Sequence, residues 1–338
     1  VIRETLSVDA GDVQLAVYVS GPRDAKPIVL VHGYPDSAAV WEPVRAQLEA
    51  RYRVIAYDVR GAGASGAPAT RAAYRLERLA ADLAAVADAT CDAQPFHLVG
   101  HDWGSIQSWE AVTDPAFKGR IASYTSISGP CLDHASLGLR GGDTKRTARA
   151  TRVTHATAER KTQRPFGSGV RQALKSWYIV FFHLPWLPEF VWRAGGARAW
   201  PLWLRATERV RTARDPAQKR NAINGLNLYR ANFIDTLLRP RARHTHAPVQ
   251  FIVPLRDRYV GPALSLGLEG WLGAYERTEI DAGHWVVLHD PALIAAHIAR
   301  FVDAKQMHAA DKSTASATAT TATATTADTT LNARAASA

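Results

Sequence analysis

Short runs of apolar, largely β-branched residues recur along this chain at 28–31, 54–57, 96–99, 121–127, 249–253 and 278–280, with helical stretches between them. A run that is apolar at consecutive positions has no face to give to water. Such runs predict strands buried on both sides, and their alternation with helices predicts a mostly parallel sheet flanked by helices. Thr5–Ser7 and Val13–Val19 instead alternate in period two, which predicts an antiparallel hairpin at the sheet edge. The strand pattern stops between 133 and 245 and then resumes. We therefore expect a core in two parts, residues 1–132 and 246–305, with a helical cap over 133–245 inserted between core strands. In residues 306–338 Ala, Thr and Ser dominate, with no periodicity and almost no large apolar side chains. That composition predicts a disordered tail.

Composition narrows the class. About 305 of the 338 residues look foldable, enough for one large core, and 47% hydrophobic content reads as globular. Two cysteines, Cys91 and Cys131, imply no disulfide framework. No apolar stretch reaches the length of a membrane span, and residues 1–20 lack the basic start and apolar run of a secretory signal, so cytoplasm is the default expectation. The formal charge of +10 is concentrated in the expected cap: from Arg140 to Arg220 there are 18 Lys and Arg against 5 Asp and Glu. Five of the ten tryptophans also fall there, at 177, 186, 192, 200 and 203. We read the cap aromatics as lining an apolar pocket and its arginines as facing water. No nucleic-acid-binding motif accompanies the basic segment, so no nucleic-acid partner is expected. Peripheral association with an anionic membrane surface stays open beside an ordinary solvated face.

The candidate chemistry centres on Gly100-His101-Asp102-Trp103-Gly104, which follows the run Phe96–Val99 and precedes a helical segment from Ser105 to Thr113. A small-x-nucleophile-x-Gly pentapeptide between strand and helix is the nucleophile elbow of α/β-hydrolases, whose tight bend needs glycines. Asp stands here where an esterase has Ser. A carboxylate is ionised at pH 7 and needs no base to attack an sp3 carbon. The alkyl ester so formed is later opened by water, which points to an epoxide or haloalkane substrate.

An Asp capping a helix in an ordinary turn would give the same pentapeptide, so the other segments matter. His32-Gly33-Tyr34-Pro35 follows the first parallel strand. In α/β-hydrolases this loop gives one oxyanion-hole N–H, here from Tyr34, and the residue after the nucleophile, here Trp103, gives the other. Asp58-Val-Arg60-Gly61-Ala-Gly63-Ala-Ser65 carries a Gly-x-Gly. As a nucleotide loop it is poor, because the third glycine falls one place late and no acidic residue closes a second strand. We expect a structural turn. Asp257 ends the strand at 249–253, and Gly283-His284-Trp285 comes 27 residues later. Nucleophile, acid, His is the chain order of this fold.

Taken together, these motifs resemble those of epoxide hydrolases of the α/β-hydrolase superfamily over roughly residues 5–303. Haloalkane dehalogenases share several of them, but commonly have Asn where this chain has Tyr34. Ser176-Trp177-Tyr178 and Asn227-Leu228-Tyr229-Arg230 resemble the two cap segments that carry the epoxide-protonating tyrosines. The resemblance implies Asp102 as nucleophile, His284 and Asp257 as the hydrolytic pair, and Tyr178 and Tyr229 as proton donors. A phenol is a suitable acid for a strongly basic alkoxide. It further implies a substrate pocket drawn from His32, Trp177, Phe181, Phe182 and Trp186, an apolar small-molecule epoxide, and no metal or organic cofactor. Ser126–His134 and His101–Ser105 resemble more specifically the hydrolase domain of a mycobacterial-type epoxide hydrolase that is fused to a short-chain dehydrogenase. Asp102 and Tyr178 are 76 residues apart, more than a compact relative needs, and the excess is the basic stretch from about 138 to 172. Two other readings remain: a dehalogenase with the same three residues, and a non-catalytic lipid- or partner-binding protein on this scaffold.

Overall fold

The computed structural model describes residues 3–139, 172 and 175–305. Eight strands form one sheet in the order β1-β2-β4-β3-β5-β6-β7-β8. They are β1 (Arg3–Asp9), β2 (Gln14–Ser20), β3 (Pro27–Val31), β4 (Arg53–Tyr57), β5 (Phe96–His101), β6 (Ile121–Ile127), β7 (Val249–Pro254) and β8 (Tyr275–Ile280). β1 and β2 make the antiparallel edge hairpin, β2 lies antiparallel on β4, and the strands from β3 to β8 run parallel. The α/β sheet expected from the apolar runs is therefore present, with each run inside its strand, but β8 lies at the sheet edge and is half-buried, not buried on both sides as expected. β3, β4, β5 and β7 are buried almost throughout because helices cover both faces.

The connection order places the site. β3 leads through α1 (Glu42–Leu48) to β4 on one side, while its other neighbour is β5. Loops leaving β3 and β5 thus diverge from adjacent carboxyl ends, which opens a crevice at this switch point of the sheet. His32–Tyr34 and Asp102 are the residues at those two ends. α2 (Leu76–Thr90) and α3 (Trp103–Thr113) pack on the sheet through Leu79, Leu83, Val86, Ile106 and Trp109.

Between β6 and β7 the described residues are helical or irregular: α4 (Leu132–Leu139), α5 (Trp177–His183), α6 (Leu187–Val191), α7 (Ala197–Glu208) and α8 (Gln218–Leu238). The basic stretch expected to lengthen the cap falls mostly outside the described residues, as does the tail at 306–338. The chain divides into units Val1–Ile298 and Ala299–Ala338. The sheet and the site belong to the first, and the described part of the second is helical.

The core holds a fully buried ion pair among the described residues. Arg60 grips Asp82 in a two-pronged ion pair, Nε to Oδ2 at 2.7 Å and Nη2 to Oδ1 at 2.6 Å, with both side chains shielded from water. Removing Asp82 would leave the buried Arg60 only its contacts to Asp12, at 3.2 Å, and to the Ala73 carbonyl, at 2.7 Å. Asp82→Ala is therefore expected to lower unfolding free energy by about 3 kcal/mol, the low end for a broken buried pair, read by urea titration. A loss near zero would mean that water replaces the carboxylate.

Candidate active site

β5 delivers Asp102 onto the elbow with φ 53° and ψ −123°, a conformation that turns its side chain away from the sheet. Gly104 allows the following helix to close on β3, since a Cβ there would lie 1.9 Å from the Val31 carbonyl oxygen. Asp102 Oδ1 accepts a 2.6 Å hydrogen bond from the Tyr34 N–H. A Cβ on Gly33 would fall 2.3 Å from that oxygen and 2.6 Å from the Trp103 nitrogen. Of the two backbone nitrogens expected at the oxyanion hole, that of Tyr34 is hydrogen-bonded to the carboxylate, and that of Trp103 lies beside the same Gly33 position. Asp102 Oδ2 lies 3.4 Å from His284 Nε2.

His284 Nδ1–H donates to Asp257 Oδ2 at 2.9 Å. The other oxygen of Asp257 accepts the N–H groups of Tyr259 and Val260 at 2.8 and 2.9 Å. Burial alone would raise the Asp257 pKa, but the imidazolium and these hydrogen bonds hold it below the usual carboxylate range. For His284 burial works against the charged form, and the two carboxylates outweigh it, raising the imidazolium pKa to about 10. His284 is thus hydrogen-bonded to Asp257 on one side and in ion-pair range of Asp102 on the other, across the ends of β5, β7 and β8.

The cap supplies aromatic walls. Tyr229 on α8 meets Trp103 edge-on at 4.9 Å and Tyr34 at 5.3 Å. Tyr178 on α5 meets Tyr229 at 6.0 Å. Burial first, and then the Asp102 charge, push both phenols well above their ordinary pKa. Both therefore stay protonated beside the carboxylate. Arg230 sets their spacing. Its guanidinium donates to the Phe182 and Leu184 carbonyls at 2.8 and 2.9 Å and pairs with Glu189, so α8 holds the end of α5 and α6 directly.

Several expected pocket residues sit elsewhere. Phe182 does pack on Tyr34 and Tyr229, at 5.3 and 4.9 Å, whereas Phe181 stands one ring further out against Trp177 and Phe182. Trp177 and Trp186 are 68% and 82% exposed, so the expectation that they line the pocket is corrected. They fall on the outward side of their helical segments. His32 is corrected too. It is buried, and both ring nitrogens serve the backbone: Nδ1–H donates to the Gly33 carbonyl and Nε2 accepts the Val59 N–H, each at 2.9 Å. It ties two loops together and has no atom left for substrate. The Asp58 segment is a structural turn, as expected. The Asp58 carboxylate accepts from Ala38 N–H, Ala64 N–H and the Tyr18 hydroxyl.

Three groups at the site, His101, Asp36 and Glu208, are not singled out by the sequence, and a fourth, Tyr259, follows the acid but has neighbours that match no proton-donor segment. His101 Nε2–H donates to the His284 carbonyl at 2.9 Å, and its ring is held neutral by burial and by the neighbouring His284 charge, with a pKa lowered to about 4. Tyr259 packs edge-on against His284 at 4.9 Å and Tyr178 at 5.3 Å. Its loop is pinned by Gln172, which bonds the Tyr259 carbonyl and Gly261 N–H, and by Lys175 on the Asp257 carbonyl. Asp36 accepts from Trp285 Nε1–H at 2.8 Å, and burial together with the Asp102 charge outweighs that bond, raising its pKa to about 7. Glu208, at the end of α7, is buried with neither carboxylate oxygen hydrogen-bonded. A Cβ on Gly283 would lie 2.0 Å from its Oε2, so a cap carboxylate rests against the residue preceding His284.

An elbow Asp joined to a His–Asp pair across three parallel strand ends has the layout of one large hydrolase family, and the model of the alpha/beta hydrolase fold family matches residues 26–291. The chain belongs to the alpha/beta hydrolase fold family. The "Probable oxidoreductase EphD" of Mycobacterium tuberculosis is 31% identical over 311 residues, which cover 88% of this chain and 49% of that protein. The chain thus spans about half the length of these curated relatives. Epoxide hydrolase A of the same organism is 37% identical over 131 residues, 38% of this chain and 40% of that protein. Among solved structures, an inhibitor complex of Bacillus megaterium epoxide hydrolase superposes with a TM-score of 0.68 at 19% identity, covering 89% of this chain and 100% of that one. At that identity the likeness is one of fold. The resemblance to epoxide hydrolases read from the sequence motifs is borne out by this alpha/beta hydrolase's relatives.

Proposed function

We propose that the protein hydrolyses an epoxide to a vicinal diol through an ester on Asp102. The observation that carries this reading is a pair of tyrosines, the half-buried Tyr178 and the buried Tyr229, set against an elbow carboxylate that is anchored by one oxygen. Tyr34 N–H holds Oδ1, which leaves Oδ2 as the nucleophile. Oδ2 attacks a ring carbon, the carbon–oxygen bond breaks, and the epoxide oxygen takes a proton from a tyrosine. Water then attacks the ester carbonyl carbon as His284 takes its proton. Oδ1 becomes the oxyanion between the Tyr34 and Trp103 N–H groups. Collapse breaks the bond from the ester carbon to Oδ2, the departing alkoxide takes the imidazolium proton, and the remaining water proton passes from the Asp102 carboxyl to His284, which restores the carboxylate and imidazolium.

The charge state of His284 changes between the two steps. Asp102 and Asp257 both support its imidazolium in the free protein, whereas an esterified Asp102 carries no charge. Loss of that support lowers the imidazolium pKa and yields the neutral base. The proton given up balances the one the tyrosine supplied. Ester breakdown, followed by rapid quench at stepped pH, is expected to rise with pH and level off well below the free-protein value of about 10. A midpoint at or above that value would contradict the role of Asp102 in the charge change.

The aromatic walls favour a bulky apolar epoxide, such as a lipid-derived one. A dehalogenase would use the same Asp, His and acid, and would need a halide-binding group where Tyr34 stands. A panel of aryl and fatty epoxides assayed for diol, beside bromoalkanes assayed for halide, separates the two. Tyr229→Phe is expected to slow epoxides about 10²-fold or more, as for loss of a general acid, and to spare any haloalkane turnover. Equal losses on both would make Tyr229 a packing residue.

A further inference from the structure

The cap turns an unusual surface to solvent. On α5 Trp177, Val180 and Leu184 lie along one stripe at helical spacing, exposed by 68%, 70% and 41%. Trp186 precedes α6 in a left-handed conformation, and Leu187, Phe190 and Val191 follow on its open side. On α7 the outward stripe is Arg198, Leu202 and Arg205, with Arg209 at the end of the helix, while Trp200, Trp203 and Leu204 turn inward. The elements are continuous. α5 touches α6, and both α6 and α7 touch the bend at Trp192–Gly196. Eight large apolar side chains are thus exposed along one run of the cap, well beyond the scattered exposure of an ordinary surface.

The charges over the same run have one sign. Arg193, Arg198, Arg205, Arg209, Arg211 and Arg214 are all exposed. The acids between 177 and 214 are Glu189, which is paired with Arg230, and Glu208, which is buried. Among the described residues none of the six arginines has an ion pair. Exposed Trp, Phe and Leu rimmed by unpaired Arg match the boundary between lipid headgroups and acyl chains: the apolar groups enter and the guanidiniums stay at anionic headgroups. No helix among the described residues is long and apolar enough to cross a membrane, so the contact is peripheral.

We propose that the outer surface of α5, α6 and α7 docks on an anionic lipid surface. α5 also carries Tyr178 and Phe182 on its inner side, so docking brings lipid to within one helix of Asp102. Delivery of a lipid-borne epoxide rests on the proposed function; docking itself does not. The test uses the whole chain without substrate. Vesicles of phosphatidylcholine, with and without phosphatidylglycerol, are sedimented with protein at low and high salt. Two variants carry exposed changes away from the site, Phe190→Ser with Leu202→Ser, and Arg198→Glu with Arg205→Glu; circular dichroism checks their fold. The expected result is binding to phosphatidylglycerol vesicles that weakens with salt and falls roughly tenfold or more in each variant. Undiminished binding by both variants would overturn the proposal by putting the contact elsewhere on this basic chain, as would no binding by the wild type. So would a dimer, seen by sedimentation velocity, that Phe190→Ser with Leu202→Ser dissolves, because the patch would then belong to a second copy. Diol formation from a water-soluble epoxide, measured separately, is expected to survive in both variants.

Discussion

Asp102→Asn is expected to yield a folded protein whose turnover of epoxides is lower by about 10⁴-fold or more. The amide keeps the size of the side chain and can still accept the Tyr34 N–H through its oxygen. What it loses is the anionic oxygen aimed at substrate. Background attack by water gains nothing from the tyrosines without a positioned nucleophile. The assay is diol formation at saturating substrate, with intact mass used to exclude deamidation back to Asp. Activity within tenfold of wild type in a confirmed Asn protein would remove Asp102 as nucleophile.

His284→Gln separates the two halves of the reaction. Ring opening depends on Asp102 and the tyrosines, so it continues at a reduced rate. Ester hydrolysis loses its base, and general-base removal costs about 10²–10⁴-fold. The variant is expected to gain the mass of one substrate per chain within a single turnover and to release diol slowly. Asp257→Asn should show a weaker form of the same behaviour, because it disturbs the imidazole's orientation and leaves the ring in place. A His284→Gln protein that never gains mass, on a substrate the wild type consumes, would argue against an accumulating ester.

The strands and the Asp–His–Asp chain were readable in the sequence for one physical reason. Parallel strands buried on both faces are apolar at most consecutive positions, and an elbow must have small residues on both sides of its bend. Those constraints are local, so they leave a local signature at Ile28–Val31, Phe96–Val99 and Gly100–Gly104. The cap has no such constraint. Trp177 and Tyr178 are neighbours on one helix, yet one faces solvent and the other faces Asp102, and only the packing of α5 on α8 decides between them. Trp200 and Trp203 turn inward on α7 and meet Trp285 at 5.4 and 5.8 Å, whereas Trp186 points out. Counting tryptophans could not sort them.

The groups first seen in the structure act through backbone geometry or across long separations. Tyr259 reaches His284 because Asp257 Oδ1 takes the N–H groups of Tyr259 and Val260 and folds the chain back over the imidazole. His101 stands in the elbow motif without a role of its own in the sequence, since its partner is a carbonyl 183 residues away. Glu208 meets Gly283 only because α7 lies over the β8 end. His32 illustrates the converse, a histidine in a catalytic-looking motif whose two nitrogens are both occupied by main chain.

The central claim is that a carboxylate of the protein, and not water, opens the ring. A single turnover in ¹⁸O-labelled water, with protein in excess over substrate, tests it most directly by mass analysis of both the diol and the Asp102 peptide. The account predicts an unlabelled first-turnover diol and label in Asp102, since Oδ2 leaves with the product and a water oxygen replaces it. Label in the diol with none in Asp102 would contradict it.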